Sequence, residues 1–203
     1  MFKYKKYIDC KLAEENGLEM VDQKYFFTQF RYDALQRAKE KQKLMLDSEK
    51  IKETSLNLYE RPYLGTVGAI ALDKNGNLAA ATSTGGMTNK MTGRIGDSPI
   101  IGSGTYADNG SVAVSCTGTG DIYMRVNAAH EVSALYKYKT SDVQKAAEEA
   151  VKEVAALGGS GGIISIDKFG KTGFAWTKDK LGMYHGEARL GAKPVVYWPL
   201  GEK

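Results

Sequence analysis

Apolar positions recur at two different spacings along this chain, and the change from one to the other falls near residue 65. From Phe27 to about Met45 the spacing is helical, with Phe30, Ala34, Leu35 and Ala38 able to share one face. A shorter helix is expected from Cys10 to about Gly17, closed by Asn16-Gly17. Asp47 to Leu64 is polar and lacks clear periodicity. Within it Arg61-Pro62-Tyr63 blocks helix growth, because proline has no amide hydrogen and restricts its predecessor. This segment predicts an exposed linker, where chains are most readily cut.

Beyond it the pattern turns to strands. Val67 to Asp73 and Leu78 to Ser83 predict a hairpin around Lys74-Asn75-Gly76-Asn77, since Asn-Gly favours the positive backbone angles of a tight turn. Both strands are apolar on both faces, which predicts a sheet covered on each side. Gly85 to Pro99 is a long loop carrying two prominent charges, Arg94 and Asp97. Ser111 to Thr117 predicts a buried strand, followed by helices from Asp121 to about Tyr138 and from Ser141 to Leu157. Asp121 suits a helix start, and Ser141 is the expected cap of the second helix, whose apolar positions are Val143, Ala147, Val151, Val154 and Ala155. Gly158-Gly159-Ser160-Gly161-Gly162 ends it. Ile163 to Asp167 and Thr172 to Trp176 predict a second hairpin, and Pro194 to Trp198 a last strand. Two consecutive helices between hairpin strands imply an α/β chain of the α+β type, with helices layered on antiparallel sheet.

Composition narrows the function more than the fold. A length of 203 residues fits one domain, or one with an appendage. The formal net charge is only +4, and the early lysines alternate with Glu14, Glu15, Glu19, Asp22 and Asp33. That reads as a solvated surface rather than a nucleic-acid stripe. Cys10 and Cys116 are far apart and form neither a disulfide framework nor a zinc pattern; Cys116 sits in an apolar run. There is no signal-peptide pattern and no apolar span of membrane length, so a cytoplasmic protein is expected.

The candidate chemistry is set by which nucleophile devices the chain can build. Only His130 and His185 exist, and neither lies near a Gly-x-Ser-x-Gly elbow, so both read as surface or capping residues. No ligand-spaced His, Cys or carboxylate set is present, and Gly118-Thr119-Gly120 lacks the rest of a phosphate-binding fingerprint. A threonine with its own amine remains. Thr66 follows Gly65 at the head of the apolar stretch. If the Gly65–Thr66 bond were cut, the freed α-amine, with a pKa of roughly 7.7–8.0, would supply the base that a threonine hydroxyl needs. Taken alone, such a stretch is more often plain structure.

Four motifs raise its standing: Thr66-Val67-Gly68-Ala69-Ile70-Ala71-Leu72-Asp73, Ala81-Thr82-Ser83-Thr84-Gly85-Gly86-Met87, Gly93-Arg94-Ile95-Gly96-Asp97-Ser98-Pro99 and Ser115-Cys116-Thr117-Gly118-Thr119-Gly120. In this order they resemble the plant-type L-asparaginase/isoaspartyl peptidase family, N-terminal-nucleophile hydrolases that cleave themselves into two subunits. The resemblance runs from about Asn16 to Lys203. It implies that Thr66 is the nucleophile in self-cleavage at Gly65–Thr66 and in substrate hydrolysis, with Thr84 tuning it. It implies that Arg94 clamps the substrate carboxylate and Asp97 its ammonium, helped by the Gly118 and Gly120 backbone, while the Thr117 hydroxyl and Gly118 amide form the oxyanion hole. One cation and one anion three residues apart independently suit a zwitterion; the alternative is that Arg94 and Asp97 pair with each other.

The implied substrates are L-asparagine and β-aspartyl dipeptides, hydrolysed through a β-aspartyl ester on Thr66, with no cofactor and no metal. The implied fold is a four-layer αββα sandwich. Residues 1–65 would be the tail of an α subunit and residues 66–203 a β subunit, in a homo-oligomer or an (αβ)2 heterotetramer. Family precursors carry a long segment, with a glycine-rich start, several strands and a sodium-binding loop, ahead of the region matching Asn16-Gly17-Leu18, where this chain has a Lys- and Tyr-rich decapeptide. An N-terminally incomplete sandwich with exposed sheet edges and apolar patches is therefore expected. Two other readings stay open: an inactive member serving as a binding or assembly subunit, and a glycosylasparaginase-like amidase. Gly65 and Gly85-Gly86-Met87 favour the asparaginase branch over the latter. Nucleic-acid binding through Arg37 to Lys43 is the least favoured reading, and no membrane partner is expected.

Overall fold

Asp22 opens the first described segment by accepting the Lys24 amide at 2.8 Å, which caps a short 3-10 turn over Gln23–Phe26. Thr28 then accepts the Arg31 amide at the head of helix α1, Gln29–Asp47, where the helical spacing placed it. The computed structural model describes residues 17, 19, 21–47, 65–178 and 183–197. The chain divides into two compact units, residues 1–58 and 59–203. The expected helix from Cys10 and the expected linker up to Leu64 lie outside the described residues, apart from a turn at Gly17 and Asp47 at the end of α1. Ala34, Leu35 and Ala38 are half-buried on α1, whereas Phe30 is exposed.

In the second unit β1 (Thr66–Leu72) and β2 (Leu78–Thr84) form the expected hairpin, in register from Thr66 opposite Thr84 to Leu72 opposite Leu78. Its turn is held by the Asp73 carboxylate, which accepts the amides of Asn75 and Asn77 and the Asn77 side chain, each at 2.8 Å. These bonds, the Asn77 side chain first, hold the Asp73 carboxyl below its ordinary value.

A four-stranded antiparallel sheet runs in the order β3-β4-β5-β6, with β3 at Thr105–Ala107, β4 at Val112–Gly118, β5 at Gly161–Asp167 and β6 at Thr172–Trp176. Alternation along β4 assigns its two faces. Val112, Val114 and Cys116 join the apolar core with the helices, while Ser115 meets the hairpin. The hairpin therefore covers one face of the sheet and the helices cover the other. The expectation that the hairpin itself is covered on both sides is not met. Its outward residues Val67, Ala69, Ala71, Ala79 and Ala81 are exposed, Val67 by 70%.

The helical layer departs from the sequence pattern at two points. The single helix expected from Asp121 to Tyr138 is two, α2 (Gly120–Val126) and α3 (Ala128–Leu135), followed by a π turn over Tyr136–Thr140. The break is at Asn127, in the left-handed conformation at φ 55°. It frees the first amides of α3 to donate outward, Ala129 to the Ser103 carbonyl and His130 to the Gly102 carbonyl. The second correction concerns α4 (Val143–Ala156), which is capped by Asp142 rather than Ser141. The Asp142 carboxylate accepts the Gln144 and Lys145 amides, and Ser141 instead takes a positive φ. Ala146 and Ala150 share the buried stripe of α4 with Val143, Ala147, Val151 and Val154, and Ala155 faces out.

A small ribbon closes the unit. β8 (Val195–Tyr197) is the expected last strand, and it pairs with β7 (His185–Glu187), which the pattern did not indicate. His185 stacks on Tyr197 at 4.8 Å and lies 4.3 Å from Phe174, so it belongs to an aromatic cluster. Among the described residues no helix is long and apolar enough to cross a membrane.

Candidate active site

The hairpin is located on the sheet by a few polar contacts. The Thr82 and Ser115 hydroxyls bond at 2.7 Å, and the Thr82 hydroxyl also reaches the Gly104 carbonyl at 3.1 Å. Opposite Thr82, Gly68 lies so close to β4 that a Cβ there would stand 2.1 Å from Ser115 Oγ. At the far end of the hairpin the Leu78 amide donates to Asn109, just before β4 begins. These contacts fix the direction of the overlap and carry Thr66 and Thr84 to the end of β4 that holds Thr117 and Gly118.

At that end Thr66 and Thr84 are cross-strand neighbours. The Thr66 hydroxyl donates to Thr84 Oγ1 at 3.2 Å, and the Thr84 hydroxyl donates to the carbonyl of Gly65 at 3.3 Å. The Gly86 amide donates to Thr84 Oγ1 at 3.0 Å. One hydroxyl thus touches the candidate nucleophile and the carbonyl of the bond that would be cut.

The second half of the site lies between the loop after β2 and the start of α2. A Cβ on Gly120 would stand 2.7 Å from Asp97 Oδ1 and 3.3 Å from an Arg94 guanidinium nitrogen, so only glycine lets the two side chains flank this backbone. Asp97 is 6% exposed, and its Oδ2 is buried with no hydrogen-bond partner among the described residues. Burial pushes its carboxyl above the ordinary value, while nearby Arg94 pulls it the other way. Among the described residues no ion pair joins Arg94 to Asp97. A carboxylate oxygen buried without a donor is costly, and a bound ammonium would satisfy it.

Gly118 turns the chain between β4 and α2 at φ 149°, and a Cβ there would fall 2.2 Å from the Ser160 carbonyl and 2.6 Å from the Tyr123 ring. Beneath this turn Cys116 is buried, and burial together with the Asp97 charge pushes its thiol well up, which makes it inert. No group of three or more His, Cys, Asp or Glu with metal-binding geometry occurs among the described residues.

The structure therefore assembles two clusters, Gly65 with Thr66 and Thr84, and Arg94 with Asp97 and Gly120, with Thr117 and Gly118 at the same end of the sheet. Among the described residues no hydrogen bond or ion pair joins one cluster directly to the other. The strands that carry them are tied at Gly104, whose carbonyl accepts both the Thr82 hydroxyl of β2 and the Cys116 amide of β4. The sequence pattern passed over Lys90, which donates to the Gly85 carbonyl at 2.7 Å. The available signal was a cation four residues beyond a Gly-Gly pair, which has no meaning until the loop is seen to curl back.

The sequence pattern of the asparaginase family matches residues 9–193. The isoaspartyl peptidase of Escherichia coli (strain K12) is 46% identical over 185 residues, covering 91% of this chain and 56% of that protein. The isoaspartyl peptidase of Salmonella typhimurium is 45% identical over 185 residues, covering 91% and 57%. The isoaspartyl peptidase/L-asparaginase of Mus musculus is 40% identical over 172 residues, covering 84% and 49%. The chain spans about half the length of the curated relatives it matches.

Proposed function

Because this chain belongs to the asparaginase family, we propose that its whole protein hydrolyses β-aspartyl (isoaspartyl) peptides and L-asparagine, releasing L-aspartate, by means of a self-liberated Thr66. The observation that carries the reading is the Thr66–Thr84–Gly65 hydrogen-bond chain at 3.2 and 3.3 Å. In self-cleavage the Thr66 Oγ adds to the Gly65 carbonyl carbon, its proton passes to the Thr66 nitrogen, and the C–N bond breaks to leave an ester. Water hydrolyses the ester to a Gly65 carboxylate and a Thr66 with a free α-amine.

In turnover that amine takes the Thr66 hydroxyl proton as the oxygen attacks the substrate side-chain carbonyl. The Thr117 hydroxyl and Gly118 amide receive the oxyanion. Each such donor is worth on the order of 10²–10³ in rate. Ammonia or an amine leaves with the proton, and water releases aspartate from the β-aspartyl ester. Arg94 clamps the α-carboxylate through its planar fork, and Asp97 takes the α-ammonium. Cleavage separates residues 1–65 from 66–203 as α- and β-subunit portions. The exposed apolar outer face of the hairpin supports a further layer there, giving the four-layer αββα arrangement and an (αβ)2 assembly.

Intact mass and N-terminal sequencing of the full-length protein test this reading. The wild type is expected to yield a chain beginning at Thr66 and to release aspartate from β-aspartyl dipeptides, and Thr66→Ala is expected to do neither. Aspartate binding without cleavage or turnover would favour the non-catalytic alternative.

A further inference from the structure

The loop that follows β2 does not run away from Thr84. Gly86 takes φ 80°, Asn89 takes φ 55°, and the Lys90 amide returns a hydrogen bond to the Met87 carbonyl at 3.3 Å. The loop curls back and lays the half-buried Lys90 side chain over the Gly-Gly pair. A Cβ on Gly86 would stand 2.7 Å from Lys90 Nζ, the movable end of that side chain, so it is the positive φ that favours glycine there.

The Lys90 ammonium donates to the Gly85 carbonyl at 2.7 Å, and the Gly86 amide donates to Thr84 Oγ1 at 3.0 Å. That carbonyl and that amide are the two ends of one peptide group. A charge-assisted bond on the oxygen draws electron density from the nitrogen and makes its N–H a stronger donor. The Thr84 oxygen then accepts from a fixed, polarised N–H and from Thr66, which leaves its own proton to point at the Gly65 carbonyl.

We propose that Lys90 is a positioning residue for self-cleavage, acting through the Gly85–Gly86 peptide to orient Thr84 and strengthen its hydrogen bond to the Gly65 carbonyl. The inference rests on the reading of Thr66 as the nucleophile. It adds a residue that touches neither Thr66 nor the reacting carbonyl. Negative charge builds on the Gly65 oxygen when Thr66 attacks, so a stronger Thr84 donor acts on the transition state more than on the resting precursor. Once Gly65 has been cut away Thr84 no longer has that carbonyl to bind, so the effect of Lys90 falls mainly on cleavage rather than on turnover.

The test is a time course of intact mass on freshly prepared full-length precursor, comparing wild type, Lys90→Met and Lys90→Arg. Met keeps the aliphatic stem and removes the donor. Cleavage is expected to slow about tenfold in K90M, below the loss seen when a donor directly on an oxyanion is removed, and K90R is expected to recover most of the rate. Hydroxylamine, which cleaves the ester, is expected to leave K90M slow, because the affected step is ester formation. Melting of the uncleavable T66A protein and of T66A/K90M gives a stability comparison free of cleavage, and the two midpoints are expected to coincide. Wild-type cleavage in K90M overturns the proposal alone, as does rescue by hydroxylamine, or a slowing matched by a lower T66A/K90M midpoint and not relieved in K90R. A wild type that never cuts at Gly65–Thr66 overturns the reading of Thr66 and the proposal with it.

Discussion

Asp97 is the residue whose chemistry depends most on its surroundings. Its buried Oδ2 has no partner among the described residues, and burial raises its carboxyl above the ordinary value. If Asp97 holds the substrate α-ammonium as proposed, binding needs the carboxylate, and KM should rise as pH falls through that raised value, with kcat changing less. Asp97→Asn should raise KM above that raised value, converge with the wild type below it and lose this acid limb, and initial-rate profiles with a β-aspartyl dipeptide check both. The stability effect has the opposite sense. The folded carboxyl holds its proton where an unfolded one has lost it, so Asp97 makes folding less favourable as pH rises from the ordinary to the raised value. Gly118 is limited by space instead. In Gly118→Ala the new methyl meets the Ser160 carbonyl at 2.2 Å, and neither it nor the buried Tyr123 ring has room to retreat. A loss of about 2–3 kcal/mol is expected from urea unfolding. Gly158→Ala, where nothing lies within 4 Å and only φ 78° opposes a side chain, should cost about 1 kcal/mol.

Among the elements, α4 shows how a short polar signal is read once partners are present. Ser141 and Asp142 both suit a helix N-terminus. Asp142 prevails because its carboxylate accepts two amides of the first turn while also reaching Lys171 at 2.9 Å. Asp142→Ala should destabilise by about 1 kcal/mol, while Ser141→Ala should change stability by less than about 0.5 kcal/mol. Paired thermal or urea melts separate the two, and equal effects would contradict the assignment. The Lys171 bond and the capping amides also hold the Asp142 carboxyl below its ordinary value, so this stabilisation is present at neutral pH and lost as pH falls through the lowered value. The break at Asn127 has the same origin: two α3 amides find carbonyls at Ser103 and Gly102, and those bonds exist only in the folded layer.

At the scale of the whole molecule, the second unit depends on one apolar layer between the four-stranded sheet and the helices, in which Ile163, Val112, Val114, Val132 and Val154 have no exposed surface. Ile163→Ala should cost about 2–5 kcal/mol, read as a shift in the urea midpoint at unchanged slope. On the other side of the sheet the hairpin is attached by the Thr82–Ser115 bond and by the close approach of Gly68. The candidate site lies at one end of this second contact, so its geometry depends on packing between layers rather than on any single element.

Local chemistry in the sequence determined both hairpins, α1, α4 and β4, because glycine-containing turns, helical apolar spacing and unbroken apolar runs act over a few residues. The four motifs likewise singled out Thr66, Thr84, Arg94, Asp97, Thr117, Gly118 and Gly120 before any of them had a position. Tertiary structure decided the split at Asn127, the cap at Asp142 and the strands β3 and β7, which at three residues each are too short to show a periodicity of their own. It also decided that Arg94 and Asp97 flank Gly120 unpaired with each other, and that Lys90 folds back onto the peptide behind Thr84. The physical reason is that each depends either on a partner far along the chain, as at Ser103, Gly102 and Lys171, or on how the backbone turns in the fold, as at Gly86 and Asn89, and neither has a counterpart in sequence spacing.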